Sequence, residues 1–185
     1  MSSKLKYFVP SLGLVDALTL FFVACVGAIV AGCYGAIHDQ ITFTISPEYF
    51  TKLKFQQFAY ADFGFGDRVF VATIGFLATW WVGLIIAWFL ARRYLVSDSL
   101  KLDLSKTGRA FFCVFATCAA SGLVAYAYDV VRGPDVDMTG WNEAEYVYGI
   151  VDLRSFATVA SIHSASYLGG PIGTIIALVC IHPAK

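Results

Sequence analysis

The sequence predicts an all-α membrane protein: a four-transmembrane-helix bundle with a small extracytoplasmic cap. Three observations lead there. Of its 185 residues 58% are hydrophobic and only 14% charged, with mean hydropathy +0.70. A soluble domain is nearer half apolar and a quarter charged, so the excess apolar surface is expected to face lipid. The apolar residues also gather into four runs near the length that a helix needs to span hydrocarbon with its backbone satisfied. Finally, Lys and Arg concentrate at the two ends of the chain and in the middle link.

The whole chain, 1–185, reads as one domain. Span one covers 13–37 and follows Lys4 and Lys6. Ala24, Ala28, Gly32 and Ala36 recur every four residues, a spacing that lets helix backbones approach. Val30-Ala31-Gly32-Cys33 resembles a lipobox, where cleavage would leave Cys33 lipidated. Asp16 interrupts the apolar stretch and three more spans follow, so the span reading is preferred. The link 38–68 opens with Gln40-Ile41-Thr42-Phe43-Thr44-Ile45, whose polar/apolar alternation has the period of a strand. Ser46-Pro47-Glu48 then reads as a helix start, with Ser as cap and Pro at the first position. A helix through Gln57 that mixes Tyr49, Phe50, Leu53 and Phe55 with Lys52 and Lys54 suits a membrane surface.

Span two covers 69–91 without a charge, and Trp88 sits near its end. Arg92, Arg93, Lys101, Lys106 and Arg109 fill the short link to span three, 110–128. The link 129–155 is acidic, and its Glu145–Val151 stretch is rich in strand formers that are expected to pair, hairpin-like, with residues 40–45. Span four covers 156–181, contains Gly169-x-x-x-Gly173, and carries Pro171, which should kink or loosen it. By the placement of Lys and Arg, both ends and the middle link are cytoplasmic and the two longer links lie outside.

The balance of charge is zero, with no basic stripe or nucleic-acid signature, which argues against a nucleic-acid partner. The expected partners are the lipid bilayer and a homo-oligomer or larger membrane complex. The five cysteines form no Cys-x-x-Cys and read as small apolar packers. There is no Gly-x-Ser-x-Gly, His-Glu-x-x-His or P-loop, although Ser161, Ser164 and Ser166 surround His163 and leave a membrane hydrolase as one reading.

The chemistry-bearing residues gather toward the outer side. His38 and Asp39 close span one, Glu48 follows on a short return, and Asp129 ends span three. His163 lies inside span four, where ionisable side chains face the bundle interior and point to function. Imidazole nitrogen with carboxylate oxygen suits zinc and similar divalent ions, so His38, Asp39, Glu48, Asp129 and His163 are the candidate ligands. Bis-histidine haem is set aside, since His38 is at a helix end and no further pair exists. Asp135-Val136-Asp137-Met138-Thr139-Gly140 matches the first half of a calcium loop but has Tyr146 where the closing acid belongs, and reads better as a solvated acidic loop. The resulting expectation is an outward-facing site for a divalent cation, zinc or calcium, in a binding or transport-related protein. The alternative is a non-enzymatic accessory subunit whose polar residues only knit the cap to the bundle.

The run Tyr34-Gly35-x-x-His38-Asp39-Gln40-x-Thr42, followed by Ser46-Pro47-Glu48-Tyr49-Phe50, resembles a motif of small uncharacterised bacterial four-span membrane proteins. The resemblance covers about 17 residues of the chain. It implies a bacterial inner membrane and no particular activity.

Overall fold

The computed structural model describes residues 13–96, 101–102, 104–133 and 136–181. Lys4, Lys6 and Asp135, which entered the charge and loop arguments above, lie outside the described residues. Four helices are long and apolar enough to cross a membrane: α1 (Leu14–Ile45), α3 (Asp67–Tyr94), α4 (Leu104–Arg132) and α6 (Leu153–Cys180). Short elements fill the links: a π-helical turn (Tyr49–Lys54), α2 (Phe55–Gln57) and α5 (Asn142–Tyr148). At the opposite end of the bundle, β1 (Leu95–Val96) pairs antiparallel with β2 (Lys101–Leu102).

Two corrections follow. Residues 40–45 are helical, not extended: α1 runs on to Ile45. The alternation was real but the burial is not alternate. Asp39, Thr42, Phe43 and Ser46 are buried, which is the i, i+3, i+4, i+7 spacing of a helix face. Thr42 and Thr44 return their hydroxyls to carbonyls of the preceding turn, at 3.2 and 3.0 Å, so the threonines fit a helix without unsatisfied groups. The helix stops at Ser46 because Pro47 follows and pushes Ser46 out of helical backbone, to φ −141° and ψ 98°. The second correction concerns residues 145–151, which do not form a strand. Asn142–Tyr148 is helical and ends on Gly149, whose φ of 60° suits glycine, and the Ile150 N–H closes back onto the Glu145 carbonyl. No cap hairpin forms between the two links among the described residues.

The helix that follows Pro47 is present through Gln57. Its aromatic side does not lie open. Tyr49 and Phe50 are buried and pack with Phe43, Val71, Ile150 and Phe156 into a core that closes this end of the bundle, the capped end. Pro171 is accommodated within α6, which continues unbroken past it to Cys180.

The long helices form two hairpins. α1 packs along α3, and α4 packs along α6, while contacts between the pairs are sparse. Within the first hairpin, a Cβ on Gly35 would strike the Gly75 carbonyl oxygen, and one on Gly75 would strike that of Gly35. Within the second, a Cβ on Gly169 would come to 2.7 Å from the Cys118 Cα. Gly169 and Gly173, which stand out in the sequence, thus mark backbone contact in the second hairpin, whereas in the first the contact falls at Gly35 and Gly75, and Gly32 makes room for the Phe76 ring. Between hairpins, apolar clusters close both ends, Phe43 and Val71 with Phe156 and Val159 at the capped end and Leu90 and Tyr94 with Ala110 and Ala177 at the other, and each end also carries a polar tie. Glu48 accepts from the backbone N–H groups of Val151 and Asp152, at 3.0 and 2.7 Å. At the other end the Tyr94 hydroxyl donates to the carbonyls of Ala177 and Ile181, at 3.2 and 2.9 Å.

Candidate metal centre

The continuation of α1 past residue 37 is what builds the site. It keeps His38, Asp39 and Thr42 on a rigid helix and turns Asp39 and Thr42 toward α6, where His163 lies about 15 Å from the helix start at 1.5 Å per residue. Three ligand-type atoms, one each from His38, Asp39 and His163, fall within 4.8 Å of one another. His38 Nδ1 is 3.2 Å from Asp39 Oδ1, and His163 Nε2 is 3.7 Å from the same oxygen. Asp39 and His163 are buried, at 5% and 3% exposure, and His38 is half-buried. The two imidazoles meet edge to face with centroids 4.9 Å apart, which leaves no gap for a porphyrin between them.

The surrounding groups fix both rings. Thr42 Oγ1 is 3.2 Å from His163 Nε2, and the Tyr167 hydroxyl is 3.5 Å from His163 Nδ1. Tyr49 lies against His163 with ring centroids 5.0 Å apart. Ser166 Oγ is 3.4 Å from His38 Nε2, and Gly122 leaves room for that hydroxyl, since a Cβ there would come to 2.5 Å from it. The site therefore spans the seam, with His38 and Asp39 from one hairpin and His163 and Ser166 from the other.

Of the five candidate ligands, the structure brings together His38, Asp39 and His163 and leaves Glu48 and Asp129 outside the group. Glu48 is held by the Val151 and Asp152 amides. Asp129, at the capped end of α4, accepts a 2.9 Å bond from Arg154 through its main-chain carbonyl, and its Oδ2 is buried without a hydrogen-bond partner. Two contributors escaped the sequence reading. Thr42 was hidden by the strand assignment of its segment. Lys54 lines the same cavity as Asp39 and His38. Burial pushes its ammonium below the usual lysine range, partly offset by the Asp39 charge nearby. The spacing of Lys54 from Phe50 and Tyr49 along a helix was the available signal.

Chemically, two imidazoles and a carboxylate with a common focus can hold a transition metal. Bond lengths near 2.1 Å at tetrahedral angles put donors about 3.4 Å apart; the two separations from the Asp39 oxygen are 3.2 and 3.7 Å, and all three donors lie within 4.8 Å of one another. No protein-family model, curated protein or solved structure matches the chain.

Proposed function

We propose that this is a multi-pass protein of the bacterial cytoplasmic membrane that binds a divalent cation through His38, Asp39 and His163, in a binding or transport-related role. The observation that supports it most is the buried Asp39 carboxylate, whose Oδ1 has an imidazole nitrogen of His38 at 3.2 Å and of His163 at 3.7 Å. An ionised carboxylate out of water costs several kcal/mol unless compensated, and a divalent ion at these three atoms supplies that compensation. Two nitrogens and one oxygen favour zinc or a neighbouring transition metal over calcium, which takes six to eight oxygens. The four apolar helices support the membrane assignment. Arg92, Arg93, Lys101, Lys106 and Arg109 at the short link support cytoplasmic ends, and the resemblance around Tyr34–Phe50 supports the bacterial membrane.

Metal analysis of the purified protein tests this. About one equivalent of zinc, cobalt or manganese per chain is expected, lost in His38→Ala and His163→Ala. Cobalt should give a ligand-field spectrum that shifts in Asp39→Asn. No stoichiometric metal in the parent protein, and no saturable signal on titration, would overturn the proposal.

A second reading is favoured by the order of contacts Ser166 Oγ, His38 Nε2, His38 Nδ1, Asp39 Oδ1, which is that of a nucleophile, its base and the group orienting the base. It competes with the first for the same face of His38. Labelling of Ser166 by a fluorophosphonate, abolished in His38→Ala and undiminished by chelator, would favour it. Failure of both metal and label returns the cluster to a purely structural role in an accessory subunit.

A further inference from the structure

Between the hairpins lies a cavity of about 800 Å³. All four long helices wall it, along residues 31–39 of α1, 77–86 of α3, 111–118 of α4 and 163–171 of α6. At 1.5 Å per residue these stretches run roughly 10–14 Å along the bundle. A space of this size stands out in a molecule whose helices within each hairpin meet backbone to backbone.

The cavity has two kinds of wall. Away from the cap it is apolar, formed by Val82, Ile86, Phe111, Val114 and Phe115. At the capped end it meets Tyr34, His38, Asp39, Lys54 and Ser166. Its exposed lining residues are Trp81 and Ile85 on α3, Tyr167 and Pro171 on α6, and Gln57 at the cap. Trp81 and Tyr167 are each 51% exposed, so the space opens on the flank between α3 and α6, along the length of the apolar helices. An apolar chamber with a side opening at that depth takes hydrocarbon in preference to water.

The polar end selects a head group. Tyr34 lines this end, and its hydroxyl, covered and without a hydrogen-bond partner, carries a deficit of about 1–3 kcal/mol that a head-group oxygen relieves once the hydroxyl turns into the chamber. The Tyr34 ring is held against Phe115, at 5.3 Å between centroids. The formal charges on this wall are one carboxylate, Asp39, and one ammonium, Lys54. Asp39 and Lys54 carry opposite charges and offset one another, so the wall as a whole favours neither an anionic nor a cationic head.

We infer that the cavity takes a neutral single-chain lipid whose head carries a carbonyl or hydroxyl oxygen. The head sits beside Tyr34 and the chain runs toward Val114 and Ile86. The inference does not depend on a cation at His38, Asp39 and His163, and it is tested on chelator-treated protein so that the two stand or fall separately. Such chemistry comes from isoprenoid quinones on one hand and from prenols or monoacylglycerols on the other.

The full chain in phosphatidylcholine nanodiscs is equilibrated with decylubiquinone, farnesol or monoolein and read by native mass spectrometry. One saturable equivalent of at least one probe per chain is expected. Preference for decylubiquinone assigns a quinone head, and preference for either of the others assigns a hydroxyl head. Ala78→Phe, which places a ring in the chamber, should weaken binding at least tenfold, with Val82→Phe as the alternative if the first variant loses helicity. Tyr34→Phe should weaken it about fivefold, the equivalent of one neutral hydrogen bond of about 1 kcal/mol. The inference is overturned if no probe saturates, if the filled variants bind as well as the parent, if Tyr34→Phe leaves affinity unchanged, or if oleate displaces the neutral probe.

Discussion

Helices within a hairpin and helices in different hairpins meet by different physics. Inside each hairpin, glycine and alanine bring backbones together over long stretches, and the contact is dispersion between close-packed surfaces. Across the seam the contact is local: an apolar cluster closes each end, and polar ties join it there. Glu48 ties the links at the capped end, Tyr94 ties the opposite end, and the histidine cluster lies between them beside an open chamber. The difference teaches that tight packing and site building are assigned to separate interfaces. A seam left loose can hold polar groups and space that a glycine-zipped interface would exclude.

The comparison breaks first if the zipped interface tolerates bulk. Gly75→Val inserts a branched side chain against the Gly35 backbone and should lower unfolding free energy by about 3 kcal/mol, measured by denaturant titration in mild detergent. Ala78→Phe, one turn along the same helix but facing the chamber, should cost less than about 1 kcal/mol in the same titration. Equal losses in the two variants would erase the distinction.

The polar ties come next. Glu48→Ala leaves the Val151 and Asp152 amides without their carboxylate. A loss of about 2 kcal/mol is expected, with faster proteolysis in the 133–152 link. Tyr94→Phe should cost about 1 kcal/mol by removing its bonds to α6. Retained stability in both would mean that the seam is held by something other than its polar ties.

The smallest effect concerns the start of α6. Asp152 accepts from the Ser155 N–H at 3.0 Å as its N-cap, and the Ser155 side chain and amide hold its carboxyl below the usual aspartate range. Asp152→Ala should cost about 1 kcal/mol at neutral pH. Because the folded-state pKa is the lower one, the unfolded chain binds the proton first. The contribution is whole above about pH 4 and fades as pH falls through the folded value. The variant should therefore lack that part of the acid-induced loss, as an unfolding series from pH 6 to pH 2.5 will read.

Much of the architecture was legible because lipid imposes a coarse rule: apolar runs of sufficient length must be helices. The four spans and the break at Pro47 follow from that rule and from proline sterics. His163 was legible as a candidate because its depth in an apolar helix is costly without a purpose. Residues 40–45 misled because Thr and Ile alternate there, and period two over six residues also fits part of a helical pattern. Only the partner surface, α6, decides which residues are inside. Lys54 and the pairing of the links were not legible for a related reason. Glu48 looks like any helix-start acid until residues a hundred positions later are seen to offer it two free amides.

One consequence of the seam remains. The cluster borrows one imidazole from each hairpin, so whatever settles there is gripped by both halves at once. A ligand that prefers the closed seam stabilises the assembled protein by an increment that grows with the logarithm of its concentration. Occupancy between the hairpins should therefore offset part of the stability that Glu48→Ala or Tyr94→Phe removes at the rims.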